Sequence, residues 1–174
     1  MRDKVNKVKK TILLGVFVSQ ALILSIIESW IPIPAPVPGV KLGLANIITI
    51  ITIMFFGFRE AISVVFVRCV LSSIFGGGGW MLFLFSISGG VLSTVVMSVL
   101  YKSGRNKFSI TGISIAGAIA HNIGQILVAA FFMKDLAVAV VLPVLLVSGS
   151  IMGFFVGLVS GFLEGALRRT RIFD

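Results

Sequence analysis

Hydrocarbon-length apolar runs, separated by short charged gaps, leave this chain few ways to fold. The runs cover residues 11–31, 42–58, 60–75, 80–101, 112–133 and 137–165. A helix crosses the hydrocarbon layer with about 20 mostly apolar residues. Runs two and three fall short of that and need local bilayer thinning or close protein packing. With 57% of residues hydrophobic and 12% charged, too little polar sequence lies outside the runs for a soluble domain. The expected architecture is therefore all-α, an integral membrane protein of six transmembrane helices forming one domain over residues 1–174.

The charges orient such a bundle. Of the 15 Lys and Arg residues, all but Lys41, Lys134 and Arg68 fall in four segments. These are the N-terminal tail (Arg2, Lys4, Lys7, Lys9, Lys10), the turn after run two (Arg59), the 101–111 connection (Lys102, Arg105, Lys107) and the C-terminal tail (Arg168, Arg169, Arg171). Six spans put all four segments on one side, which the positive-inside rule makes the cytoplasm. A cell-membrane protein with both termini cytoplasmic is expected. The net charge of +9 then reflects orientation and attraction to anionic lipid headgroups. No basic patch interleaved with aromatics marks a nucleic-acid binder. The single cysteine, Cys69, precludes an internal disulfide. The basic start and first apolar run resemble a signal peptide. The run is too long for an ordinary signal core, however, so an uncleaved helix is expected.

Two outer loops stand out. Residues 30–41 alternate proline (Pro32, Pro34, Pro36, Pro38) with small or apolar residues, which forbids helix and favours an extended strap. It is a lid over a cavity or a stiff connector. Phe75-Gly76-Gly77-Gly78-Gly79-Trp80 is a hinge or a tight turn. It is not a phosphate-binding loop, since no Lys-Ser or Lys-Thr follows. Trp30 and Trp80 fall at the outer interface, as belt residues or as ligand-stacking rings.

Small residues recur every fourth position at Gly149, Gly153, Gly157, Gly161 and Gly165, at Gly112, Ala116, Ala120 and Gly124, and at Ser86, Gly90, Thr94 and Ser98. That spacing keeps them on one helix face, where another helix packs closely, within the bundle or from a partner subunit.

Polar side chains at membrane depth are functional candidates. They are Glu28, Asn46, Arg68, His121, Asn122 and Gln125, all from the bilayer centre outward in the expected topology. With Trp30, Lys41 and Trp80 they make a candidate outward-facing substrate pocket. His121 and Gln125 share a helix face, and Asn122 is turned about 100° away. Arg68 keeps its charge, so it pairs with Glu28 or binds a carboxylate or phosphate of a ligand. His121 makes an interhelical hydrogen bond or takes part in proton coupling. Glu164 pairs with Arg168 at the inner end. One His and one Cys without an acidic cluster give no metal site, and no cofactor is expected. No nucleotide-binding motif, no Asp-rich diphosphate motif and no Ser/His/Asp constellation is visible. The chain reads as a non-enzyme.

The segments Val40-Lys41-Leu42-Gly43-Leu44-Ala45-Asn46-Ile47 and Ala120-His121-Asn122-Ile123-Gly124-Gln125, with six short spans, carry a resemblance over nearly the whole chain. The chain resembles the Gx transporter family, also labelled heptaprenyl diphosphate synthase component I. That family is similar to the substrate-binding S components of energy-coupling factor transporters. The resemblance implies capture of a vitamin-like molecule from outside under the loop joining helices one and two. It also implies docking on a membrane scaffold with two ATPases, and tilting of the subunit to release cargo inside. S components often dock through Ala-x-x-x-Ala on helix one. Here Gly15-x-x-x-Ser19 and Ala21-x-x-x-Ser25 stand instead. They join Gly149, Gly153, Gly157 and Gly161 as packing or docking residues. The expected function is binding and import of a small organic, vitamin-like or isoprenoid-related substrate. The alternatives are a non-catalytic membrane subunit assisting a prenyl-diphosphate or quinone-pathway enzyme, or a self-contained proton-coupled carrier.

Overall fold

A computed structural model describes residues 2–30, 43–76, 79–103, 108–134 and 140–170. Among them are six helices and no strand: α1 (Arg2–Trp30), α2 (Asn46–Phe55), α3 (Phe58–Phe75), α4 (Gly79–Ser103), α5 (Ile110–Met133) and α6 (Leu142–Arg169). The proline strap, Lys41, Gly77, Gly78, Arg105, Lys107 and Arg171 lie outside the described residues.

Helices α1, α4, α5 and α6 are each long and apolar enough to cross a membrane. Their length and composition mark a membrane protein. The other two runs give something different from ordinary spans. Run 42–58 yields only the ten residues of α2. At 1.5 Å per residue that is about 15 Å, half the hydrocarbon thickness of about 30 Å. Helix α3 has 18 residues but carries Arg59, Glu60 and Arg68.

Packing accounts for the short helix. α2 touches all five other helices, and every residue from Asn46 to Ile53 is buried. A helix that faces protein all round has no lipid thickness to match. The other helices form an arc around it in the order α1, α3, α4, α5, α6. Three clusters hold the arrangement. Phe17, Ala21, Ile47, Ile48, Ile51, Val64 and Val156 join α1, α2, α3 and α6. Ile50, Ile53, Ala61, Met97 and Ile113 join α2 to α5 through α3 and α4. Phe85, Ile126, Ala129 and Leu145 join α4, α5 and α6.

Local chemistry sets the helix ends. Ser109 caps α5 by accepting a hydrogen bond from the Gly112 amide at 3.1 Å. Pro143 sits in the first turn of α6, where its missing N–H costs nothing. Gly57, between α2 and α3, has φ of +96°, which a side chain would oppose. Buried hydroxyls bond back to their own helix, as Thr52 does to Ile48 O at 2.7 Å and Thr94 to Gly90 O at 2.6 Å.

The glycine stripe of α6 is partly internal. A β-carbon on Gly153 would stand 2.7 Å from Ile115 Cα, and one on Gly157 would meet Thr111. One on Gly149 would run into Asn122 Nδ2. These three glycines seat α6 against α5. Gly161 and Gly165 have nothing within 4 Å, so the C-terminal part of the stripe is open. Helix α1 divides likewise. Ala21 and Ser25 are buried, while Gly15 and Ser19 face outward.

Two contacts fix how α1 lies on α3. Lys10 Nζ donates to Glu60 Oε1, and Ser25 and Ser72 hydroxyls are 3.0 Å apart. Numbering rises in the same direction on both helices, so they run parallel.

Candidate functional site

The polar side chains singled out at membrane depth are all buried: Glu28, Asn46, Arg68, His121, Asn122 and Gln125. They come from α1, α2, α3 and α5, and α4 supplies the surface between them. The backbone of α4 is bare at Gly89 and Gly90. A β-carbon at Gly89 would lie 2.9 Å from His121 Cε1, and one at Gly90 would lie 3.1 Å from Arg68 Nη2. The two consecutive glycines thus seat His121 of α5 and Arg68 of α3 at successive positions of α4, one on each flank.

Gly43 extends the cluster toward α1 and α2. Its amide donates to Glu28 Oε1. Its φ of +89° and the absence of a side chain let Asn46 and His121 close in, with Asn46 Nδ2 2.8 Å and His121 Cγ 3.9 Å from where a β-carbon would be. A chain of neighbours therefore runs from Glu28 through Gly43 to Asn46 and His121, and from His121 along Gly89 and Gly90 to Arg68.

Glu28 and Arg68 do not form an ion pair among the described residues. The parallel packing of α1 and α3 explains why. From the level of Ser25 and Ser72, Glu28 lies three residues on and Arg68 four residues back. The displacements are opposite and put the two backbones about 10 Å apart along the axes.

Asn122 points the other way, as its position on α5 requires. Its Nδ2 donates to Leu145 O of α6 at 2.6 Å, in the space that Gly149 leaves. That bond ties α5 to α6 and explains Asn122 as a packing residue. Gln125 and Ser86 are buried on α5 and α4. Trp30 and Trp80 are 77% and 71% exposed and stand outside the buried set. Gly43 and Gly89 were not among the residues singled out for the pocket. Gly43 sits in a quoted motif, but that its amide meets Glu28 depends on tertiary contact.

Two hollows lie away from this cluster and differ in character. An apolar groove of about 550 Å³ runs between α4 and α5 past Val91, Val95, Leu127 and Phe131, on side chains that face lipid. A smaller one of about 200 Å³ lies among Met54, Tyr101, Phe108, Glu164 and Arg168. There Arg168 Nε donates to Glu164 at 2.7 Å and its guanidinium lies 5.6 Å from the Phe55 ring centroid.

The model of one protein family, described as heptaprenyl diphosphate synthase component I, matches residues 17–163. The chain belongs to this family. The match runs from the middle of α1 to Leu163 in α6 and contains every residue of the cluster. The family description names one component of an enzyme, which implies work alongside partner subunits. Comparison with curated proteins and with solved structures found no match.

Proposed function

We propose that this member of the component I family is the substrate-binding membrane subunit of an importer of energy-coupling factor type. It captures a small vitamin-like or isoprenoid-related molecule from outside. The carrying observation is the cluster of charged, amide and imidazole side chains enclosed by four helices around α2, in a core whose other buried residues are apolar, glycine or hydroxyl-bearing. Buried polar and charged groups are costly in a membrane protein, and they mark substrate paths. The basic segments orient both termini to the cytoplasm, which turns the Glu28 to Arg68 side of the bundle outward. Energy comes from a scaffold subunit and two ATPases. The chain itself catalyses nothing. The outward small residues Gly15, Ser19 and Gly161 offer a close-packing face for the scaffold.

The test is mass spectrometry of small molecules retained by the gently purified protein, followed by uptake of the identified compound into vesicles. Uptake is expected with the coupling subunits present and not with this chain alone. Uptake by the chain alone, lost on replacing His121, would instead make it a proton-coupled carrier. The family description favours a second reading, a non-catalytic subunit that assists a prenyl-diphosphate enzyme. Stable co-purification with a soluble synthase, without retained solute, would select that reading.

A further inference from the structure

Arg68 is 2% exposed and permanently charged. A charge inside a membrane bundle needs an opposite charge or solvent. Glu28 does not meet it, for the axial reason given above, and its carboxylate accepts from the Gly43 amide. Arg68 Nε and Nη2 are both buried without a hydrogen-bond partner among the described residues. These two nitrogens share one edge of the guanidinium. That edge presents two parallel N–H groups, the arrangement that engages two oxygens of a carboxylate or phosphate together. The bare backbone of α4 at Gly90 gives Nη2 its room, since a β-carbon there would lie 3.1 Å from it. Asn46, further along the same contact chain, has both Oδ1 and Nδ2 buried and unpartnered among the described residues. It offers one acceptor and two donors.

We propose that the Nε–Nη2 edge of Arg68 seats the oxyanion of a bound ligand, a carboxylate or phosphate ester, while Asn46 addresses a neighbouring polar group of that ligand. The inference rests on reading the cluster as a substrate pocket and names the chemistry it selects. The oxyanion has two possible sources, a water-borne solute or the headgroup of an anionic lipid.

The experiment uses the full chain in phosphatidylcholine nanodiscs. Its thermal midpoint is followed by tryptophan fluorescence as inorganic phosphate, then acetate, replaces chloride at constant ionic strength. The expected result is a midpoint that rises with the oxyanion in wild type and stays flat in Arg68→Gln. Arg68→Lys keeps the charge without the paired edge, and should bind roughly ten- to a hundredfold more weakly. It also carries the comparison if Arg68→Gln does not fold. An Arg68-dependent rise on adding phosphatidylglycerol, with no response to phosphate or acetate, assigns the lipid source. No response to any of the three, or equal responses in wild type and Arg68→Gln, overturns the proposal. Mass spectrometry of retained compounds separates this from the broader reading. A neutral compound kept by both proteins would leave substrate binding standing and remove the oxyanion seat.

Discussion

Gly153 and Gly161 look alike in the sequence, two members of one four-residue repeat, yet the fold gives them opposite surroundings. A leucine at 153 would drive into Ile115 backbone. Gly153→Leu should lower stability by about 1–3 kcal/mol, the usual cost of overpacking. Gly161→Leu should leave the isolated protein's thermal midpoint unchanged, because nothing lies within 4 Å. Equal losses in detergent melts would contradict the packing described. Asn122→Ala removes the bond to Leu145 O and should cost about 1 kcal/mol, in the range of interhelical hydrogen bonds in membranes. The intramembrane polar residues were legible in the sequence because an apolar background makes each one conspicuous. Their partners were not. Whether Arg68 met Glu28 turned on the relative stagger of two helices, which neither helix's own sequence encodes.

Helix positions followed from the apolar runs because backbone groups in lipid must be satisfied within the segment. Helix length did not follow for α2. Run 42–58 reads as a shortened span, and its Ile and Thr residues are as compatible with lipid as with protein. Only the five surrounding helices show that it is enclosed. The parallel seating of α1 on α3 was equally out of reach, since it depends on Lys10 meeting Glu60 and Ser25 meeting Ser72. It is open to a direct check. In a Cys69→Ser background, Ser25→Cys with Ser72→Cys should cross-link on oxidation, whereas Ser25→Cys with Ser63→Cys should not. Cross-linking of the second pair alone would reverse or shift the helix pairing.

The arrangement of the bundle across the bilayer is the part that charge, rather than packing, specifies. With Cys69 replaced by Ser, single cysteines introduced at Lys9 and at Arg169 should react with an impermeant thiol reagent only from the cytoplasmic side. A cysteine at Trp80 should react only from outside. Labelling of positions 9 and 80 from the same side would remove the six-segment topology and with it the outward direction of the Arg68 cluster.

The enclosure of α2 bears on how the protein is made. Ten residues cannot hold themselves across a bilayer, and the contacts that bury this helix include side chains of α6, such as Val156, that are synthesised more than a hundred residues later. Insertion in order of synthesis would leave α2 waiting. Entry together with α3 as a hairpin, with settling only after the last helix is in place, is the expected route. Nascent chains ending before α5 should therefore leave α2 open to water-soluble thiol reagents at an introduced Thr49→Cys. In the finished chain the same cysteine should be shielded, so that protection of α2 times the completion of the fold.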